Sequence, residues 1–414
     1  MKKSFWALFI FAFSLIGCEK KPVEFEKVEY VKYSHQLFEE DVNLEGLIKQ
    51  GSKELGATPR QLLADFGFDE KESKSILEKL NLYIMLSKDQ TVHGIAYNTK
   101  DPLGNPVVAS GLLYYPKNNK PKGVLFIYPF FKSKSNCGTD LRYSIEAILN
   151  GLGEYVCLIP DGIGFGLTSD LPMSIIHNKN IAETGIDLYL AAEEFIYNNY
   201  KRKLPREITL FGYSRGAPGA WSMARLLSKD KTLRINVKDI FIGSGLYYPE
   251  LYLETVFETC YSEFAAAPFV LWSMNYYENL NLDLTKMLTG KMLEEFPSLC
   301  NGSIGIQQVT SIVGTDLRNY FDYDFLKNEE NPYRQIIVQA LKKNSIPNDW
   351  KPECKVHLYN CFEDSFVPPI CGETLYQYLK EINADVEFTQ KDVGHQELVI
   401  YMTIDFFKHI YPNL

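Results

Sequence analysis

The sequence has no C-x-x-C pair, no H-E-x-x-H and only 6 histidines, so neither a zinc ribbon nor a helical zinc-hydrolase site is spelled out. It has no internal repeat and no low-complexity run, which excludes solenoids, propellers and arrays. An excess of positive charge is also missing: the formal charge is −9, which argues against a nucleic-acid-binding surface. A phosphate-cradling loop is absent as well. The glycines of IPDGIGFG, residues 159–166, are not followed by a helix in the pattern phosphate binding requires. What remains is a globular composition, 46% hydrophobic with 14% aromatic and 23% charged residues, too rich in core formers for a disordered chain.

The N-terminus is set apart by its apolar run. MKKSFWALFIFAFSLIGC passes from a basic start through that run to Leu-Ile-Gly-Cys, the order of a bacterial secretory signal ending in a lipobox. This predicts a signal segment over 1–18 with Cys18 diacylated and becoming the mature N-terminus. The lipid would then be the membrane partner and the location the bacterial cell envelope. A plain signal peptide or a single anchoring helix is the alternative, disfavoured because the run is short for a span and a small residue directly precedes the cysteine. Removing 1–17 takes away Lys2 and Lys3, so the mature chain is still more acidic. Of the 8 cysteines, setting Cys18 aside leaves an odd number, at least one thiol unpaired and no pairing readable from spacing. Cys157, inside YVCLIP, reads as a buried core thiol.

Residues 19–89 read as a polar tether followed by a small helical segment, with Thr58-Pro59 as N-cap and first-turn proline. From residue 90 the texture changes to a hairpin around DPLGNP and then short apolar runs at 123–129, 155–161, 207–214, 238–245, 355–362 and 385–390. These lack polar alternation, as strands covered on both faces should. Helical patterns lie between them, such as the stripe of Leu188, Ala191, Ala192, Phe195 and Ile196, with Asp187 read as facing solvent. Strands alternating with helices predict an α/β class with a mostly parallel, doubly wound sheet over 90–245 and 355–414. Residues 246–354 break the rhythm. Their helical periodicity and aromatics, including Tyr247, Tyr248, Phe257, Trp272, Tyr276 and Tyr277, predict an inserted helical cap whose underside some of those rings should line.

ITLFGYSRGAPGA, residues 208–220, places Ser214 at a strand end before a run of small residues, the context of a serine on a sharp strand-to-helix turn. A serine hydroxyl needs a base, and the base needs an orienting acid. KVHLYNCFEDSFVPP supplies Asp364 after a later strand, and DVEFTQKDVGHQE supplies His395 after the last, the chain order that such a sheet requires. Glu363, adjacent, is the alternative acid. Asp161 and the glycines at 162, 164 and 166 read as shaping a loop near the site. His93, His177, His357 and His409 read as structural or surface residues, with no metal site.

With GYSRG, the D-x-x-V-P of Asp364 to Pro368, Gly394-His395, IPDGIGFG and the opening hairpin, the chain resembles the α/β-hydrolase superfamily, and within it bacterial esterases and secreted lipases. The resemblance covers roughly residues 90–412. It implies an α/β-hydrolase fold, a small-molecule ester substrate, no cofactor, and acyl transfer to water by Ser214, His395 and Asp364. It also implies an oxyanion hole from the backbone N–H of Arg215 and a second donor just after the strand of GVLFIYPFF, residues 123–131. The family's usual His-Gly pair is replaced there by Tyr128-Pro129-Phe130-Phe131. Pro129 has no N–H, so the second donor is expected from Phe130 or Phe131, with the Tyr128 hydroxyl as an alternative. A peptidase of the prolyl-oligopeptidase type is the nearest rival, disfavoured because no repeated blades precede the domain; a non-catalytic surface-binding lipoprotein is the other.

Overall fold

The computed structural model describes residues 34–117 and 120–412. Cys18 and the tether at 19–30 lie outside them. Among the described residues nine strands form one sheet: β1 Ser34–Val42, β2 Gln90–Lys100, β3 Pro106–Pro116, β4 Val124–Tyr128, β5 Val156–Pro160, β6 Glu207–Tyr213, β7 Asn236–Gly243, β8 Lys355–Cys361 and β9 Val386–Lys391. Their spatial order is β1-β2-β3-β5-β4-β6-β7-β8-β9. The first three pairings are antiparallel, and from β5 onward every neighbour is parallel.

The apolar runs make such strands because both faces are covered. Along β4, Val124, Phe126 and Tyr128 enter one buried cluster while Leu125 and Ile127 enter another. The first cluster is closed by the helices α4 Asn178–Tyr200, α5 Gly216–Lys229 and α10 Ile370–Glu381. The second is closed by α1 Leu44–Leu55 and α11 His395–Ile410. Burying a residue of Leu or Phe size on each side contributes about 1.5–3 kcal/mol per side chain, so a five-residue strand with no polar position is a strong organiser.

Thr58 caps α2 Pro59–Asp65 in a reciprocal box with Gln61, and Asp69 caps α3 Glu70–Leu86 with Glu72 in the same way. The hairpin turn is tied by Asp101, whose carboxylate accepts from the Asn105 N–H at 2.9 Å and its side-chain amide at 3.0 Å. Two readings need correction. The stretch before residue 44 is not all tether, because β1 adds an antiparallel edge strand to β2 with a register irregularity between Gln36 and Phe38. That bulge breaks the period-2 pattern by which a strand is recognised. Asp187 does not face solvent. It is buried and accepts from Thr99 Oγ1 at 2.8 Å, because the end of β2 covers that side of α4.

Between β7 and β8 the chain leaves the sheet and forms α6 Pro249–Thr259, α7 Ala267–Tyr277, α8 Ile306–Val313 and α9 Pro332–Asn344, with shorter turns between. These have their own apolar core, in which Tyr252, Phe257, Phe269, Met274, Val309 and Leu341 are buried. Core-domain residues Phe165, Ile175, Ile176 and Val367 join that cluster. The insertion is therefore fastened at the carboxyl ends of the strands, the end where open α/β sheets bind ligands. No helix among the described residues is long and apolar enough to cross a membrane.

Candidate active site

The strand β6 ends at Tyr213 and α5 begins at Gly216, so the chain reverses within two residues. Ser214 absorbs the turn in a left-handed conformation with φ 54°, rare for a residue with a Cβ. The flanking glycines are required by contact. A Cβ on Gly212 would lie 2.4 Å from the Gly216 carbonyl oxygen, and one on Gly216 would lie 2.3 Å from the Tyr128 carbonyl oxygen. The turn is held to the neighbouring strand by the Ser214 N–H, which donates to Gly243 O at 2.9 Å.

Ser214, His395 and Asp364 converge. His395 Nε2 lies 2.9 Å from Ser214 Oγ, and His395 Nδ1 lies 2.7 Å from Asp364 Oδ2. The other carboxylate oxygen of Asp364 accepts from the N–H groups of Phe366 at 2.9 Å and Val367 at 2.8 Å. Burial pushes the Asp364 carboxyl up, but His395 and these two donors outweigh it and hold the group below its usual range. An ionised Asp364 facing Nδ1 selects the tautomer with the proton there, which leaves the Nε2 lone pair for the serine proton. Glu363 is exposed and turned away, so the adjacent alternative acid is not at the histidine. Tyr213 donates its hydroxyl to the His395 carbonyl, and the Phe366 ring stands edge-on to the imidazole at 5.0 Å.

Arg215 and Phe131 line the same cleft as Ser214, while Phe130 turns toward a smaller neighbouring cavity. The N–H of Arg215 enters the first turn of α5, where backbone donors have no intrahelical acceptor. The Tyr128 hydroxyl is excluded as an oxyanion donor. It is buried under the sheet, 3.4 Å from Ile181 O and 3.3 Å from Met223 Sδ. The Arg215 side chain was not singled out by the sequence. Its guanidinium lies 4.5 Å over the Phe165 ring, its Nε is sealed from solvent without a partner, and no carboxylate is within ion-pair distance among the described residues. Desolvation lowers its pKa to about 10, so it stays cationic at neutral pH, a positive charge held against the loop that carries Phe165. Asp161 accepts from Ser110 Oγ at 2.6 Å and from Thr139, and braces the 162–166 loop that carries Phe165.

The cleft is narrow and is walled by Phe131, Ile175, Ile176 and Pro218 from the core and by Leu246, Tyr252, Ala266, Val270 and Ile306 from the insertion. Ser214 is 6% exposed and His395 5%, so the insertion covers them. Of the insertion's aromatics Tyr252 lines the underside, as expected of some of them, but the six rings named from the sequence do not. Tyr247, Tyr248 and Tyr277 pack into the sheet's core, Phe257 and Trp272 into the insertion's own, and Tyr276 is exposed. Aliphatic side chains and Tyr252 form the ceiling instead. A larger open depression on the outer face of the insertion, around Glu254, Lys327 and Lys343, contains none of the convergent groups.

No protein-family model matches the chain, and no curated protein does either. Solved structures do. A Legionella pneumophila protein provisionally described as a hydrolase superposes with a TM-score of 0.72 at 19% identity, covering 92% of this chain and 99% of its own. The rice cell wall degrading esterase LipA of Xanthomonas oryzae gives 0.65 at 17%, covering 91% and 95%. Candida antarctica lipase A in its closed state gives 0.58 at 16%, covering 78% and 77%. At such identities the likeness speaks to architecture, and with the sheet order and the crossover helices it establishes that this chain has the α/β-hydrolase fold, interrupted by a helical insertion between β7 and β8.

Proposed function

We propose that the protein is an exported, lipid-anchored serine hydrolase of carboxylic esters. The observation that carries the reading is the continuous chain from Ser214 Oγ through His395 to Asp364, at 2.9 and 2.7 Å, on a serine held in a left-handed turn. In this reading Ser214 Oγ attacks the ester carbonyl as His395 Nε2 takes its proton. The negative charge on the former carbonyl oxygen is met by the Arg215 and Phe131 N–H groups. Collapse expels the alcohol, which takes the proton from His395, and leaves an acyl-serine. Water then repeats the sequence, releasing the acid. The positive charge of Arg215 adds favourable potential where the oxyanion develops. The esterase and lipase among the similar structures support ester bonds over amides. The anchor rests on residues 1–18 alone.

A fluorophosphonate probe and a panel of nitrophenyl esters, acetylated sugars and a peptide amide test the reading. The probe is expected to label Ser214 stoichiometrically, and Ser214→Ala or His395→Ala to lose about 10³-fold or more in kcat while staying folded. Near-normal ester turnover by Ser214→Ala ends the proposal. Faster cleavage of the amide than of every ester moves it to the peptidase. Mass spectrometry of protein from bacterial membranes tests the anchor, which is refuted by a mature terminus other than a diacylated Cys18.

A further inference from the structure

Three donors from separate elements meet at the end of the sheet opposite Ser214. Asp239 lies on β7, His357 on β8, and His409 in the last turn of α11. His409 Nε2 is 3.1 Å from Asp239 Oδ2, His357 Nε2 is 3.8 Å from Asp239 Oδ1, and all three ligand atoms lie within 4.8 Å of one another. Asp239 and His357 are buried, at 6% and 5% exposure, whereas the His409 side chain is 35% exposed and opens the cluster to solvent. The His357 ring lies flat on Phe241, 4.0 Å away and 7° from parallel, so it cannot swing aside.

Hydrogen bonding accounts for His409, which meets Asp239 Oδ2, but leaves His357 Nε2 without a partner. Nδ1 of His357 faces the Glu387 carboxylate at 3.5 Å, which favours the proton on that nitrogen. The Nε2 lone pair is then turned toward Asp239 Oδ1, sealed from solvent and without any hydrogen-bond partner. With the proton on Nδ1, one acceptor faces another in a low-dielectric interior, an arrangement that a cation between them relieves. Donors that each bind a divalent ion at about 2.0–2.2 Å in tetrahedral geometry sit roughly 3.3–3.6 Å apart, between the 3.1 and 3.8 Å separations from Asp239. Glu387 behind His357 occupies the place of the carboxylate that commonly orients a metal-bound imidazole.

We propose that Asp239, His357 and His409 form a structural site for a first-row divalent cation of the zinc class, with water in the fourth position. Two imidazoles and one carboxylate without thiolate suit zinc, nickel or copper better than the hard, all-oxygen preference of calcium or magnesium. The site departs from the sequence reading, in which no metal was expected and both histidines were structural or surface residues. Its role is to staple β7, β8 and α11. His395 opens that helix, about 20 Å along the axis from His409, and β8 runs on toward Asp364, so the ion fastens the elements that carry two members of the reactive trio without touching substrate.

The test is metal content and stability of the full chain, stripped with a chelator and dialysed against zinc sulfate. Wild type is expected to retain one zinc per chain by mass spectrometry and to melt several degrees higher with zinc than without. His409→Gln, at a partly exposed position, should stay folded by circular dichroism yet lose both the zinc and the shift, as should His357→Gln. Cobalt in place of zinc should give the intense visible absorption of a four-coordinate site in wild type only. Absence of stoichiometric zinc in wild type overturns the proposal, as does zinc retained in both variants. Loss of ester turnover on removing zinc from a still-folded protein overturns the structural role.

Discussion

Ser214 combines reactivity with strain, and the two can be separated. Its φ of 54° costs a residue with a Cβ on the order of 1–2 kcal/mol, which glycine does not incur. Ser214→Ala and Ser214→Gly both delete the hydroxyl and its bond to His395, so their difference isolates the backbone. Ser214→Gly is expected to be inactive yet more stable than Ser214→Ala by about 1 kcal/mol, read as a higher urea midpoint at unchanged slope. Equal midpoints would show that the turn is relaxed. At this scale the sequence was informative where chemistry demands a residue type in a fixed order, as with Ser214, Asp364 and His395. It was uninformative where a side chain's setting is created by distant segments. Asp187 is buried because β2 reaches it from far along the chain. Arg215 is an unpaired cation because the 162–166 loop brings Phe165, and no carboxylate, to its face.

Elements were legible in proportion to how one-sided their signals are. The inner strands announce themselves by short apolar runs, unbroken in β4 and β5, whereas β1 places Leu37 and Phe38 side by side across its irregular register and shows no alternation to read. The insertion was visible as an interruption of strand spacing, but its inward face was not, since both its own core and the cleft ceiling are apolar. Val270 on α7 belongs to both, 3% exposed and lining the cleft with Ser214. Widening that point with Val270→Ala is expected to shift the preference among nitrophenyl esters toward longer acyl chains, and narrowing it with Val270→Phe toward shorter ones. A one-methylene difference in such a pocket is worth about 1–3 kcal/mol, so the shift should be at least about fivefold in relative kcat/KM. Probe labelling of Ser214 should persist in both variants. Unchanged chain-length ranking in both would remove α7 from the acyl pocket.

For the whole molecule, stability should depend on acidity through two histidines far from the reaction. His93 and His177 are each lowered to about 4, chiefly by burial. The opposing pull of Glu39, 3.7 Å from His93, and of Glu278, 3.9 Å from His177, is not enough to restore them, and Lys343 pushes His177 the same way as burial. Tyr200 takes the remaining hydrogen bond of His93 at 2.7 Å. Both rings are therefore neutral when folded at a pH where the unfolded chain, with a pKa near 6.5, already binds protons. Unfolding takes up protons in that window, so stability is full above about pH 6.5 and falls as the pH drops toward 4, by up to roughly 3 kcal/mol per histidine. Against a typical total of about 5–15 kcal/mol, two such groups are enough to bring unfolding within reach before Asp364, held below its usual range, begins to protonate. Melting temperature measured from pH 8 to 4 should fall steeply below 6.5 in wild type. It should stay flatter in a His93→Gln, His177→Asn double variant, even though that variant starts lower at neutral pH. The comparison turns on slope, because lost packing lowers the whole curve while only lost proton linkage flattens it; parallel curves would mean that these histidines do not control the acid limit.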